Sequence, residues 1–83
     1  MVSLRQKVDK LLRQAFPRPD RVTLQDDDGI IGVVVSSRFA GVDVIDRQDM
    51  IWQALEKSLS SDEKRRVLTI VAVTPKEEIA HTS

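Results

Sequence analysis

Residues 36–52, SSRFAGVDVIDRQDMIW, decide the fold of this 83-residue chain. They follow a valine-rich run, contain the short turn FAG at 39–41 and lead into a helix that we expect to begin with Asp46 as its N-cap. Aspartate is favoured there because its side-chain oxygen accepts a hydrogen bond from a free N–H group of the first turn. The stretch therefore predicts a strand, a tight turn and a helix in succession.

A regular helix is predicted at the start of the chain. Apolar residues recur at intervals of three and four between Leu4 and Ala15, which places them on one face of an α-helix. Ser3 and Gln6 have the spacing of a capping box at the start of this helix, and Pro17 follows its end.

Two strands are predicted between the first helix and the turn. Residues 21–25 alternate apolar and polar side chains as a half-buried strand does, and residues 26–29 (DDDG) supply a hairpin turn. The nearly continuous apolar run 30–36 predicts a strand that is either central in the sheet or covered on both sides. We expect Gly32 to mark a close backbone approach or a bulge.

The C-terminal half predicts a second helix and a last strand. The apolar face that starts at Met50 carries the helix to about Leu59, and residues 60–62 (SSD) either end it or start a short turn. Residues 67–73 (VLTIVAV) predict the last strand, and Pro75 can occupy the first position of a short final helix.

The resulting element order is α-β-β-α-β, with the final helix left open. A helix that connects two strands of one sheet favours a right-handed crossover and parallel pairing, whereas a hairpin gives antiparallel pairing. We therefore predict an α+β fold with a three-stranded mixed sheet and both helices on one face. Residues 1–79 are expected to form a single domain and residues 80–83 a flexible tail.

Residues 36–52 together with the run 67–75 (VLTIVAVTP) resemble the core of the BolA-like family. The matching features are the S-x-x-F-x-G pattern that begins at Ser36, the helix led by Arg47 and the Thr-Pro pair that ends the last strand. This resemblance covers most of the chain. It implies the BolA-like fold, which is related to the class II KH fold of RNA-binding domains.

The resemblance also implies a role in iron homeostasis or stress response. BolA-like proteins pair with monothiol glutaredoxins and share a [2Fe–2S] cluster, to which they contribute a histidine beside the last strand and a Cys or His from a loop between the first two strands. This chain has Arg66 at the histidine position and only the short turn 26–29 in place of the loop. Because a guanidinium offers no lone pair, we expect no bound cofactor and no metal site, although a glutaredoxin-type partner is still implied.

The sequence favours a non-enzymatic interaction module. It has no cysteine, its single histidine, His81, is near the C-terminus, and it contains neither a Ser-His-Asp set nor a phosphate-binding loop. We expect a protein partner to contact residues of the family pattern and one candidate anchor: Arg38, Phe39, Gly41, Trp52 and Arg66. The structural alternatives are that Phe39 plugs the end of the sheet and that Trp52 belongs to the core.

The alternative function is a nucleic-acid-binding transcription regulator. Thirteen basic and thirteen acidic residues cancel, but residues 1–21 carry six basic and two acidic groups. Phosphates would meet the basic residues of the first helix and of the segment before the last strand: Lys7, Lys10, Arg13, Lys64, Arg65 and Arg66. Aromatic residues make up only 4% of the chain, which leaves little for base stacking.

Composition also yields expectations about location and assembly. No apolar stretch has the length of a signal peptide or a membrane span, and the lack of cysteine is compatible with a reducing compartment. We therefore expect a cytoplasmic protein that is a monomer or a weak homodimer and has no membrane partner.

Overall fold

Four α-helices and three β-strands make up the described part of the chain in the computed structural model, which covers the backbone of residues 3–82 and the side chains of residues 3–79. In chain order the elements are α1 (Leu4–Ala15), β1 (Arg21–Asp26), β2 (Ile30–Val35), a 3-10 turn (Ser37–Phe39), α2 (Val44–Leu55), α3 (Ser61–Arg66), β3 (Val67–Val73) and α4 (Pro75–Thr82). The predicted order is present, with the short helices α3 and α4 on either side of β3.

The sheet has the strand order β1-β2-β3, so β2 is central. β1 pairs antiparallel with β2 from Arg21 opposite Val35 to Asp26 opposite Ile30, and β2 pairs parallel with β3. The register of β2 and β3 shifts once, between Ile30 and Ile31. The α+β class and both predicted pairings are confirmed, because a hairpin and a crossover helix dictate these directions.

The core lies between one face of the sheet and the helices α1 and α2. Alternate strand residues such as Val22, Val34 and Ile70 point to this face and are at most 5% exposed. The rest of the buried cluster comes from all parts of the chain: Val8, Leu12, Phe16, Ile30, Phe39, Ile51, Leu55, Leu59, Val67 and Ala72. Around Ile31 and Val71, which are 37% and 45% exposed, the opposite face is open. β2 is therefore central and is not covered on both sides.

Gly32 lies where the backbone of β1 comes close to β2. A Cβ atom at this position would be 2.4 Å from Leu24 Cδ2 and 2.5 Å from the Thr23 carbonyl oxygen. Both distances are far below van der Waals contact, so any side chain would push the two strands apart. The close approach predicted for Gly32 is confirmed.

Helix α1 has the predicted capping box. The Ser3 hydroxyl accepts a hydrogen bond from the Gln6 N–H group at 3.2 Å, and the Gln6 side chain accepts one from the Ser3 N–H group at 3.0 Å. The helix buries Val8 and Leu12 completely and ends at Ala15. Its apolar face, read from the sequence, is therefore the face that packs on the core.

The start of α2 differs from the prediction. The helix begins at Val44 with Asp43 as its N-cap, so the expected N-cap, Asp46, lies in the first turn. Asp43 has extended backbone angles, and its carbonyl accepts the first helical hydrogen bond, from the Arg47 N–H group at 2.9 Å. Asp46 is favourable in its actual place because the helix dipole stabilises negative charge in the first turn.

The end of α2 also differs from the prediction. The helix stops at Leu55 and not near Leu59, because a second capping box starts the separate helix α3. The Ser60 hydroxyl accepts a hydrogen bond from the Glu63 N–H group at 3.2 Å, and the Glu63 carboxylate accepts one from the Ser60 N–H group at 2.8 Å. Leu59 lies in the turn between the helices and is still buried, at 6% exposed.

Helix α4 begins at Pro75, which confirms the predicted first position of a final helix. Thr74 caps it, since its hydroxyl accepts a hydrogen bond from the Glu77 N–H group at 3.1 Å. An ion pair between Arg21 of β1 and Glu78 holds the helix against the sheet. The side chains of the predicted tail, residues 80–83, lie outside the described part. Within residues 3–82, no helix combines the length and apolar character needed to cross a bilayer.

Candidate functional site

A cleft of about 280 Å³ lies beside the β1–β2 hairpin turn, where α3 runs into β3. The pairing of Ile30 with Val67 brings Arg66, the last residue of α3, next to this turn. The cleft is lined by residues from α1, the hairpin and α3: Leu4, Asp26, Asp28, Gly29, Ile30 and Arg66. The fold thus brings together Arg66 and the turn at 26–29, the two places where the resemblance puts cluster ligands.

Charged groups dominate the chemistry of this cleft. Asp26 and Asp28 supply carboxylates, and Arg66 supplies a guanidinium, which has no lone pair to offer a metal. Within the described residues, no three His, Cys, Asp or Glu side chains are grouped so that they could hold a metal ion. His81 is on α4, but its side chain lies outside the described part.

Arg38, Phe39 and Gly41 lie in and after the 3-10 turn, at the other end of the sheet. Phe39 is 0% exposed and packs against Phe16, with the ring centroids 5.3 Å apart. The Arg38 guanidinium lies 5.2 Å from the Phe16 ring centroid and donates a hydrogen bond to the Ala15 carbonyl at 2.7 Å. Phe39 therefore plugs the end of the core, and its side chain is not part of any surface that a partner could touch.

The five residues proposed for a protein interface do not form one surface. Because β2 and β3 are parallel, Arg66 precedes the seven-residue strand β3 and the 3-10 turn lies beside its other end, roughly 20 Å away. Trp52 is on α2 and is half-buried against the core. The sequence pattern could not predict this separation, because it depends on the crossover that spans the whole sheet.

Arg47 fastens three parts of the chain together. It donates hydrogen bonds to the carbonyls of Val42 at 2.7 Å and Ala72 at 3.1 Å, and to both carboxylate oxygens of Glu77 at 2.7 and 3.1 Å. The hydrogen bond from Arg47, followed by that from the Thr74 N–H group, lowers the pKa of Glu77 from 4.5 to about 2. The same hydrogen bond to Glu77 raises the pKa of Arg47. The sequence pattern does not predict this link to α4.

Lys7, one of the proposed nucleic-acid residues, joins α1 to α3 through an ion pair with Glu63. Lys7 Nζ donates hydrogen bonds to both carboxylate oxygens of Glu63, at 3.0 and 3.1 Å. The pKa of Glu63 is lowered, first by the hydrogen bond from the Ser60 N–H group and then by that from Lys7. The positive charge of Lys7 is therefore already balanced inside the protein.

The other basic candidates are distributed along α1 and α3. Arg13 binds Asp9 at 2.8 Å and the Val22 carbonyl at 3.1 Å, so its guanidinium caps the edge of β1. Arg65 lies 3.7 Å from the Asp62 carboxylate on the surface of α3. Lys10, Arg65 and Arg66 are exposed, and Lys64 is half-buried. Part of the predicted basic set is thus engaged in holding the fold together.

A second groove, of about 370 Å³, runs between α2 and the free edge of β3. We call it the α2–β3 groove. Gln48 Nε2 donates a hydrogen bond to the Ile70 carbonyl at 2.8 Å, and Arg47 does the same to the Ala72 carbonyl. Side chains of α2 thereby satisfy carbonyl groups that an edge strand would otherwise leave open.

Apolar residues line the α2–β3 groove. Val44, Leu68 and Val71 line it and are 72%, 57% and 45% exposed, and Ile45 beside Val44 is 77% exposed. No pattern in the sequence by itself predicts this groove. One signal was available, because Val44 and Ile45 precede the predicted helix start and so had no place on its buried face.

Comparisons with known proteins were made at the levels of sequence and structure. No protein-family model matches the chain, and no curated protein sequence matches it. Among solved structures, mouse BolA1 matches 100% of this chain with 74% of its own, at 24% identity and a TM-score of 0.77. A bol-like protein from Babesia bovis matches 100% of this chain with 96% of its own, at 26% identity and a TM-score of 0.65. The chain has the BolA-like fold.

Bacterial and plant structures agree with this assignment. A bolA homologue from Coxiella burnetii matches 95% of this chain with 99% of its own, at 20% identity and a TM-score of 0.68. BolA1 from Arabidopsis thaliana matches 93% of it with 98% of its own, at 16% identity and a TM-score of 0.69. The BolA-like fold therefore accounts for the whole described chain.

The cleft beside the hairpin turn does not fit an iron–sulfur cluster. Cluster iron is held by thiolate sulfur or imidazole nitrogen. The two positions that the resemblance assigns to ligands carry instead Arg66 and the carboxylates of Asp26 and Asp28. The fold brings the two ligand positions together, but the residues that occupy them have the wrong chemistry.

Proposed function

We propose that this BolA-like chain is a non-enzymatic module that acts by binding a protein partner. The observation that carries the proposal is the exposure of apolar side chains that line the α2–β3 groove: Val44 is 72% and Leu68 57% exposed, and Ile45, next to Val44, is 77% exposed. Leaving apolar groups in water costs free energy, so an exposed group of them marks an interaction site.

The two carboxyl groups with lowered pKa values take part in helix caps and ion pairs. The pKa of Glu77 is lowered to about 2 by Arg47 and by the cap of α4. The pKa of Glu63 is lowered by the cap of α3 and by Lys7. A general acid or base needs a pKa near the working pH, and these shifts move both carboxyl groups away from it. Neither carboxyl group is therefore suited to act as a general acid or base near neutral pH.

A monothiol glutaredoxin is the first partner to test, because the resemblance implies one. The cleft at Arg66 argues against a cluster shared in the manner of the family, since neither Arg66 nor Asp28 is a ligand for cluster iron. We therefore propose a contact that does not require a cluster. The α2–β3 groove supplies the apolar area for such a contact.

The experiment is a titration of the isotope-labelled chain with a monothiol glutaredoxin, once without and once with its cluster, followed by amide NMR. We expect the same amide shifts in both titrations and an unchanged visible CD spectrum of the cluster. Val44→Ser should weaken the interaction, and Ile79→Ser, a change at a comparably exposed residue on α4, should not. Absence of amide shifts in both titrations would remove the glutaredoxin from the proposal.

Nucleic-acid binding is the second candidate function. The observation that favours it is the Lys7–Glu63 ion pair, which joins α1 to α3 and so places Lys10 and Arg65 on adjoining helices. The test measures binding to a single-stranded oligonucleotide at rising salt. Phosphate contacts would weaken steeply with salt and would be reduced by Arg65→Ala with Arg66→Ala. Binding that ignores both salt and these substitutions would exclude this candidate.

A further inference from the structure

The geometry of the α2–β3 groove restricts what can occupy it. β3 is an edge strand, and such strands commonly recruit an extended segment that adds to the sheet. Strand addition requires free carbonyl groups along the edge to accept hydrogen bonds. Here the carbonyls of Ile70 and Ala72 already accept hydrogen bonds from Gln48 at 2.8 Å and from Arg47 at 3.1 Å. An extended segment would have to break these bonds, so the edge is a poor template for a strand.

The groove instead presents apolar side chains from two elements. Residue numbers rise along α2 while the carbonyls that it contacts fall from Ala72 to Ile70. Val44, one helical turn before Gln48, lines the groove from α2, and Leu68 and Val71 line it from β3. The apolar lining therefore comes from both elements.

Acidic residues flank the groove on α2, although the charged residue that lines it from this helix is Arg47. Asp43 precedes Val44, and Asp49 follows Ile45 by one helical turn, so both carboxylates flank the exposed apolar pair. No ion pair within residues 3–79 includes Asp49 or Asp43, but the Asp43 carboxylate does interact electrostatically with Arg47. Arg47, the basic residue of α2, is bound to Glu77 and is only 12% exposed.

We infer that the α2–β3 groove binds an amphipathic α-helix of a protein partner whose polar face is basic. A helix buries its apolar stripe in such a groove without needing backbone hydrogen bonds from β3. Lysine or arginine on its flank would pair with Asp43 and Asp49, which gives both attraction and selectivity. This inference rests on the proposed function, because it names the kind of segment that a protein partner would present.

The test uses three synthetic peptides of about 18 residues, long enough to form a helix in a groove. All carry the same leucine stripe. The first has lysine on its polar face, the second has glutamate there, and the third is the lysine peptide with a central proline, which breaks the helix. Each is titrated into the labelled full chain, and the amide shifts are recorded.

The lysine peptide should shift amides in residues 44–52 and 68–71, and the other two peptides should bind about tenfold more weakly or worse. Val44→Ser should weaken the lysine peptide by about tenfold through lost apolar contact. Asp43→Asn with Asp49→Asn should reduce its advantage over the glutamate peptide. Ile79→Ser, on α4 and outside the groove, should leave binding unchanged.

Several results would overturn the inference. One is equal binding of the proline peptide, which would indicate an extended occupant. Another is equal binding of lysine and glutamate peptides, and a third is no shift of groove amides at about 1 mM lysine peptide. Shifts confined to α1 and α3, or caused by an oligonucleotide at the groove, would assign the surfaces to other ligands. Concentration-dependent shifts without any peptide would assign the groove to a second copy of this chain.

Failure of this inference and failure of the proposed function give different results. If glutaredoxin shifts amides elsewhere while the lysine peptide does nothing, the chain binds protein but not through this groove. If the lysine peptide binds the groove while glutaredoxin does nothing, the groove is a helix-binding site and glutaredoxin is not the partner. If neither has any effect, both are wrong.

Discussion

Arg47 and Glu77 form a bidentate ion pair that joins α2 to α4, with nitrogen–oxygen distances of 2.7 and 3.1 Å. The Arg47 side chain is only 12% exposed and also binds the Val42 and Ala72 carbonyls. Glu77 is in addition the capping partner of Thr74. One carboxylate therefore completes the start of α4 and anchors it to the body of the protein.

Acid should weaken this anchor in a defined pH range. The pKa of Glu77 in the folded chain is about 2, below its ordinary 4.5, so folding favours the carboxylate. A group with a depressed pKa stabilises the fold fully above its unfolded pKa and loses that contribution as pH falls through the folded value. We expect stability to decline between about pH 5 and pH 2 and expect urea denaturation across that range to record it.

Glu77→Gln is the control for the acid effect. It removes the titrating group while keeping a side chain that can still cap α4, so its stability should change less with pH than that of the parent chain. Arg47→Ala should lower the melting temperature more than Glu77→Gln at neutral pH, because it also leaves two carbonyls without their donor. Parallel pH profiles for parent and Glu77→Gln would contradict the assignment.

Two glycines should respond differently to alanine because they are present for different reasons. Gly41 has φ +75°, and nothing lies within 4 Å of a Cβ built there, so Gly41→Ala adds only backbone strain, about 1–2 kcal/mol. At Gly32 a Cβ would meet Leu24 and the Thr23 carbonyl at 2.4 and 2.5 Å. Gly32→Ala should therefore cost more than Gly41→Ala in urea denaturation.

A double substitution tests the cause at Gly32. Leu24→Ala removes one of the two clashing groups, but the Thr23 carbonyl belongs to the backbone and cannot move aside. Leu24→Ala should consequently recover only part of the loss caused by Gly32→Ala, as a double-mutant cycle would measure. Full recovery would mean that only the Leu24 side chain restricts this position.

Local patterns predicted the fold well where one signal decided each element. The apolar spacing and the Ser3–Gln6 box predicted α1, and the hairpin and crossover rules predicted both strand pairings. The predicted boundaries of α2 were wrong because each end of the helix carries two competing sequence signals. Asp43 and Asp46 are both suitable N-caps, and residues 60–62, predicted to end the helix or start a short turn, belong to the capping box that starts α3.

The candidate sites were harder to predict because they depend on distances across the fold. Phe39 is part of a family pattern, but only its packing on Phe16 reveals that it is core. The α2–β3 groove brings together residues such as Val44 and Leu68, which lie far apart in sequence. Val44 and Leu68 form one site only because the fold places α2 beside β3.

Phe39 should behave as a core residue in mutagenesis. It is 0% exposed and contacts the Phe16 ring, so Phe39→Ala should destabilise the chain by about 3–5 kcal/mol, and Phe39→Leu by less. Urea denaturation with an unchanged m-value would measure both. Arg38→Ala, which touches the same ring from the surface, should cost far less. A Phe39→Ala variant that keeps its stability but loses a partner would contradict the core assignment.

Substitution of the cleft residues tests whether chemistry alone prevents cluster binding. Arg66 and Asp26 line the same cleft and occupy the two places where the resemblance puts ligands. Arg66→His together with Asp26→Cys would supply imidazole nitrogen and thiolate sulfur, the donors that cluster iron prefers. With a cluster-loaded monothiol glutaredoxin, we expect the double variant to alter the visible CD spectrum, whereas the parent chain and each single variant leave it unchanged. A parent chain that already alters the spectrum would reveal a cluster ligand other than Arg66 or the hairpin, and a double variant without effect would show that the cleft geometry excludes the cluster as well.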